Sequence, residues 1–359
     1  MTQKLIVFAK SEFFFWEHEF QAIIYKPEET DLDRILEIIY SGIRPIVQLN
    51  GSPSDFELLD RLPRKSILVH LNSDETYNPK FNKKVIKSSS VAAILRSYPL
   101  PNMKPILILK GILILTLYVL KSFFSKNFLS RFSVVIHGIV MAKRQIHIKF
   151  WEVLRKKITI KVPLGYTDLF YENFQQQFHS VTSKSLFSGN ENLFKEKKQG
   201  VVFIGLKGNI FRQEVINACL EVIPDSYSYV KIRKAFGGFI GPHGSNEKEG
   251  REYFDVLRKS SLSICPPGNY SGITFRFAES IACRVLPVSF NFVPSDPLFS
   301  KRSSLNLNFM STLNLKKTFS YIARLEEEAI FNFFELEKAS FLKNLFDAET
   351  RIQSEILSN

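Results

Sequence analysis

Short apolar runs alternating with amphipathic segments along most of the chain predict an α/β fold, with two parallel sheets and a helical tail. Three observations carry that prediction. Most strand-length runs are largely apolar instead of alternating, the pattern of parallel strands covered on both faces. The segments between them return an apolar residue every three or four positions, the period of a helix packed on one side. Residues 309–357 keep only the helical period, with Phe331, Phe333, Phe334, Phe341 and Phe346 supplying apolar faces.

In the first half the strand-like runs are 5–9, 45–49, 66–71, 91–95 and 158–162. Between the first two, residues 31–40 place Leu32, Ile35, Leu36 and Ile39 on one helical face; residues 54–62 do the same with Phe56, Leu58, Leu59 and Leu62. The second half reads as strand 201–204, helix 209–222, strand 227–232, helix 247–260, strand 262–265, helix 274–283 and strand 285–289. Residues 175–200 are polar, opening on Gln175, Gln176 and Gln177, and read as a linker between two domains.

A length of 359 residues suits two domains, and 45% hydrophobic with 13% aromatic content is ample for their cores. The three cysteines, Cys219, Cys265 and Cys283, are odd in number and lack metal-ligand spacing. Neither a disulfide framework nor a zinc site is suggested, which points to a reducing compartment. Residues 1–9 run into a strand-like segment too short for a signal-peptide core, so the expectation is a cytoplasmic protein.

The net charge of +13 is unevenly placed. Residues 80–161 hold seventeen Lys and Arg against one acid, Glu152, giving +16, and the remainder of the chain is −3. Inside this segment residues 106–120 are almost wholly aliphatic, broken by Lys110 and flanked by Lys104 and Lys121. Interleaved basic and apolar residues favour an interfacial helix, and the run is shorter than the roughly 20 residues a spanning helix needs. Residues 104–131 are therefore expected to dock peripherally on an anionic membrane at the inner face of the cell membrane, with a buried helix as the alternative and a spanning one third. Nucleic-acid binding suits the charge but not the aliphatic run, so no nucleic-acid partner is expected.

Residues 262–290 are the most informative stretch. A short apolar run stops at Pro266, Pro267 and Gly268, where the chain must turn, and an amphipathic segment follows with Ser271 or Thr274 as candidate N-cap. That segment carries Arg276 and Glu279 three residues apart, on one helical face. A helix start after a Gly-bearing turn presents free N–H groups and a positive dipole end to an anion, and a nearby Arg can pair with a diphosphate.

This arrangement resembles the nucleotide-sugar site of exostosin-like glycosyltransferases, family 47 and its relatives including the ribitol xylosyltransferase type. There a Cys-Pro-x-Gly turn precedes an Arg-Phe-x-Glu helix and a strand with Pro-Val. Blocks at 71–75, 94–98, 162–166 and 203–205, the last followed by Arg212, fall in the same chain order. The resemblance implies a GT-B architecture, two Rossmann-like domains facing across a cleft, with a nucleotide-sugar donor and a glycan or glycolipid acceptor. It also implies an inverting, metal-independent reaction without a further cofactor. The expected domains are 1–175 on the acceptor side with a basic and apolar insertion near 103–145, a linker at 176–200, a donor-binding domain at 201–300, and a tail at 301–359. A chain of this kind that binds nucleic acid or anionic membrane without catalysis is the alternative.

Transfer from a nucleotide sugar needs a stabilised diphosphate leaving group and, with inversion, a base for the acceptor hydroxyl. Arg212 and Arg276 are the candidates for the diphosphate, with Pro267, Gly268, Asn269, Ser271, Gly272 and Thr274 shaping the same loop and Glu279 accepting from the ribose. Asp74 and Glu75 follow a strand and are the candidates for the base, with His70 and His137 as alternatives. Asp31 and Asp33 have the spacing of a metal-binding pair, but they open a helix, where acids complement the dipole. No metal site is expected. The Gly-rich loop at 237–244 lacks the Lys-Ser/Thr ending of a P-loop.

Overall fold

The computed structural model describes residues 4–9, 14–26, 32–49, 51–71, 79–97, 117, 120, 128–177, 186–187, 200–206, 210–224, 228–233, 247–266, 275–291, 306–308 and 315–357. The chain divides into two compact units. One comprises Met1–Leu100, Met141–Asp168 and Phe341–Asn359, the other Pro101–Val140 and Leu169–Ser340.

The first unit holds strands β1 (Ile6–Phe8), β2 (Ile23–Tyr25), β3 (Ile46–Gln48), β4 (Ile67–Leu71), β5 (Val91–Arg96) and β6 (Ile158–Lys161). They form one sheet in the order β2-β1-β3-β4-β5-β6, and every pairing is parallel. The central strand β4 is buried at all five residues, which is why its sequence is continuously apolar up to His70. Helices α1 (Phe14–Glu19), α2 (Leu32–Tyr40), α3 (Pro53–Arg61), α4 (Pro79–Lys87) and the C-terminal part of α5 (Phe128–Leu154) accompany this sheet. Sequence periodicity identified α2 and α3 but not α1, α4, β2 or α5 as elements. Six- and three-residue pieces such as α1 and β2 are too short to show a period.

Helix α3 starts one residue before its apolar period suggests, because Ser52 caps it: the Ser52 hydroxyl accepts from Asp55 N, and Asp55 Oδ2 accepts from Ser52 N at 3.0 Å. Pro53 fits the first helical position, where its missing N–H costs nothing. Asp55 Oδ2 also takes Gly51 N at 2.7 Å, so this fully buried acid is committed to the cap. Helix α2 begins at Leu32 with Asp33 in its first turn, consistent with a dipole role for that acid; Asp31 lies outside the described residues.

His70 is buried, its Nε2 is 3.0 Å from Ser97 Oγ, and its ring meets Trp16 edge-on at 5.0 Å. Burial holds its pKa down at about 3 from an ordinary value of 6.5. A depressed folded-state pKa on a base means that the unfolded chain binds the proton first. The stability His70 contributes is thus complete above about pH 6.5 and drains away as the pH falls towards 3. His70→Gln should flatten the acid limb of the stability curve between pH 6.5 and 4 by nearly one proton, ~2 kcal/mol at pH 5 relative to wild type. Urea titrations across that range read the slope directly.

The second unit holds β7 (Val201–Leu206), β8 (Ser228–Arg233), β9 (Leu262–Cys265), β10 (Leu286–Asn291) and β11 (Asn306–Asn308), in the order β11-β10-β9-β7-β8. These pairings are also all parallel. Its helices include α6 (Asp168–Gln177), α7 (Ile210–Val222), α8 (Glu247–Lys259), α9 (Phe275–Ala282) and α10 (Leu315–Ile322). A last helix, α11 (Glu327–Leu357), begins in this unit, and its segment from Phe341 onward belongs to the first. There Arg44 donates to the Glu355 carbonyl, and Arg351 Nη2 donates to the Thr159 carbonyl at 3.3 Å. The α/β class, the two parallel sheets and the helical C-terminal segment are those expected. No described helix is long and apolar enough to cross a membrane. Of residues 104–131, only Leu117, Leu120 and the first turn of α5 are described, so the docking expectation for that segment lies largely outside the described residues.

Candidate functional site

Open parallel sheets bind ligands beyond the carboxyl ends of their strands, at the point where the strand order reverses. In the second sheet the chain goes from β7 to β8 on one side and returns to β9 on the other, so the reversal lies between β7 and β9. Ile204, Gly205 and Leu206 end the first of these strands and Cys265 ends the second. The next described element in the chain is α9, whose second residue is Arg276.

Arg276 lies against this edge. Its Nε and Nη2 both donate to the Ile204 carbonyl, at 3.1 and 2.8 Å, and its guanidinium sits over the Phe203 ring, 5.1 Å from the centroid. Two donors on one carbonyl hold the planar fork in a single orientation. Gly205 makes this fit possible: a Cβ there would run into Arg276 Nη2 and lie 3.2 Å from its Cζ. Gly205→Ala should therefore push the guanidinium off the strand end. The expected result is a loss of ~1–3 kcal/mol in stability, read by thermal melts against wild type.

Arg212, on the first turn of α7, is the other cation here. It is buried, and its pKa is lowered to about 10, first by desolvation and then by the positive charge of Arg276. Like charges held close and partly dehydrated form an arrangement that an anion would relieve. The structure thus brings together Arg212 and Arg276, which the sequence suggested separately.

Glu279 is completely buried and accepts a hydrogen bond from the Tyr253 hydroxyl at 2.7 Å. Tyr253, on α8, is itself sealed, and burial followed by the Glu279 charge raises its pKa well above 10. It therefore remains a donor at any physiological pH. Burial means that removing the Glu279 carboxylate must cost stability as well as any ligand contact, which an exposed ion pair would not. Cys265 is likewise buried, with its thiol pushed up to about 11 by desolvation, so it is a packing residue and not a nucleophile. Ser289 stands across from Cys265 in the β9–β10 register, and its buried Oγ has no hydrogen-bond partner among the described residues. Tyr253 and Ser289 escaped sequence reasoning: one is an aromatic on an amphipathic helix and the other a serine in a strand, and neither pattern signals a site.

Pro267, Gly268, Asn269, Ser271, Gly272 and Thr274 lie outside the described residues, as do Asp74 and Glu75. The strand preceding those two acids, β4, ends at Leu71 on the carboxyl edge of the first sheet. Arg96, from the expected block at 94–98, is buried in a polar cluster at the end of β5. Its Nε donates to Glu152 Oε1 at 2.9 Å and its Nη2 to Asn82 Oδ1 at 2.6 Å, while Lys149 Nζ reaches Glu152 Oε2 at 3.3 Å. Among the described residues no group of three His, Cys, Asp or Glu is placed to hold a metal ion.

No protein-family model matches the sequence, and no curated protein does either. Among solved structures the chain is similar to the trehalose-6-phosphate phosphatase N-terminal domain of Candida albicans, at 11% identity and a TM-score of 0.47, covering 100% of this chain and 97% of that one. It is similar also to OtsA in its apo form, at 9% identity and a TM-score of 0.46, covering 98% and 99%. Neither likeness says what this chain binds.

Proposed function

We propose that the protein is a glycosyltransferase that moves a sugar from a nucleotide-sugar donor to a glycan or glycolipid acceptor. One observation supports this most: two neighbouring arginines, Arg276 and Arg212, sit at the strand-order reversal of a parallel sheet, one of them locked on a strand-end carbonyl. The likeness of residues 262–290 to the exostosin-like donor site adds to it. In this reading the bond between the anomeric carbon and the diphosphate oxygen breaks while the acceptor oxygen attacks from the other face, inverting the centre. Charge grows on the leaving diphosphate, and fixed guanidinium groups stabilise it at little reorganisation cost. The acceptor proton passes to Asp74 or Glu75. His70 suits that role poorly, being sealed in the core and bonded to Ser97.

Two arginines and a helix start do the work that a divalent cation does in other transferases, so activity should persist in EDTA. Thermal-shift screening with UDP-, GDP- and CDP-sugars tests the donor class. The matching nucleotide should raise the melting temperature by a few degrees, about 2.7 kcal/mol at a hundredfold excess over Kd. A flat response to all three sinks the reading, and loss of activity in EDTA restored by Mn²⁺ would overturn its metal-free form.

A further inference from the structure

The helix that closes the basic segment has two faces of opposite character. Towards its end, Ile148 and Glu152 are one turn apart and buried at 1% and 2% exposure, so this side packs inward. Ile146, Phe150, Val153 and Leu154 are exposed by 38%, 59%, 67% and 56%. At about 100° per residue these four fall within a sector of roughly 100°, opposite the inward side. Ile158, at the start of edge strand β6, is exposed as well, at 41%. Apolar side chains gathered in this way mark a contact surface.

The outward charges of this segment have one sign. Lys143 lies inside the apolar sector, Arg144 stands outside it one turn before Ile148, and Arg155 and Lys156 follow the helix directly; all four are exposed. Beside them Lys83 and Lys87 approach the Trp151 ring, 4.8 and 4.7 Å from its centroid. The one acid between residues 80 and 161, Glu152, is turned inward onto Arg96 and Lys149, so it cancels none of this outward charge.

We propose that this face of the first unit, the outer side of residues 143–156, docks on an anionic lipid surface. A bilayer interface accepts Phe, Val, Leu and Ile at the acyl boundary, a Trp at the headgroup level and Lys or Arg against acidic headgroups. A nucleic acid would reward the cations but not four exposed aliphatic and aromatic side chains. The surface extends the transfer reading, because it would hold the enzyme where a lipid-linked acceptor lies, and it can fail independently of donor binding.

The test is sedimentation of the full chain with phosphatidylcholine vesicles, with and without about a third phosphatidylglycerol, at low and high salt. Binding is expected only with the anionic lipid, falling at high salt as headgroup attraction is screened. Phe150→Asp/Leu154→Asp and Lys143→Glu/Arg144→Glu should each weaken it roughly tenfold or more, with melting curves and nucleotide-induced shifts unchanged. Brominated acyl chains should quench Trp151 fluorescence, and the Trp151→Phe variant, which keeps only the buried Trp16, should lose that quenching. A protein that stays in the supernatant with anionic vesicles at low salt overturns the proposal. So does vesicle binding that both double variants retain, or binding abolished by the charge pair but untouched by the apolar pair and matched on an RNA homopolymer.

Discussion

Arg276→Ala is expected to lower kcat/KM for sugar transfer by about 100- to 1,000-fold, equivalent to roughly 3–4 kcal/mol of transition-state stabilisation. The side chain has two jobs. Nε and Nη2 tie α9 to the end of β7 through the Ile204 carbonyl, and in the proposed reading the same guanidinium meets the donor diphosphate. Truncation would leave that carbonyl without its charged donors and expose the Phe203 face, so a stability loss of ~1–3 kcal/mol should accompany the kinetic one. Arg276→Lys separates the two roles. A lysine keeps the charge but cannot fork, so it should recover part of the stability and little of the rate. Steady-state kinetics alongside thermal melts checks both; an Arg276→Ala enzyme with near wild-type kcat/KM shows that the diphosphate is bound elsewhere.

The largest effect on stability is expected in the first unit. Glu152→Ala removes the carboxylate facing Arg96, whose side chain is only 1% exposed, and leaves a buried guanidinium without this counter-ion from α5. Stranding a charge in this way costs about 3–5 kcal/mol, whereas replacing both partners with apolar residues of similar volume is often close to neutral. Arg96→Met/Glu152→Leu should therefore be markedly more stable than Glu152→Ala alone, and denaturant titrations of the two decide it. The cluster joins β5, α4 and α5, so its loss should also loosen the helix that carries the proposed lipid-facing side. Additive single-variant effects, with no rescue in the pair, would show that Arg96 and Glu152 are not energetically coupled.

Much of the fold was legible because parallel strands leave a plain signal. Residues 91–95 are apolar throughout, 66–71 are broken only by Ser66 and His70 and 262–265 only by Ser263, and all became strands covered on both faces. Helices with clear 3.6-residue periods, such as α2 and α8, appeared within a residue or two of their expected limits. The misses have their own causes. Ser52 and Asp55 moved the start of α3 through side-chain bonds that hydropathy does not register. In α5, Lys, Arg and His residues interrupt the apolar face, so its 27 residues present no clean stripe.

By itself the sequence determined which segments pair and pack, because burial on one or two faces dictates an apolar period. It also marked Arg212 and Arg276 as cations next to turns. What only the tertiary structure decided is who meets whom across long stretches of chain: Ile204 with Arg276, Tyr253 with Glu279, Arg96 with Glu152. These partners are 26 to 72 positions apart. No local period encodes them; they follow from strand order, which brings β7 beside β9 and turns the single acid of the basic segment inward.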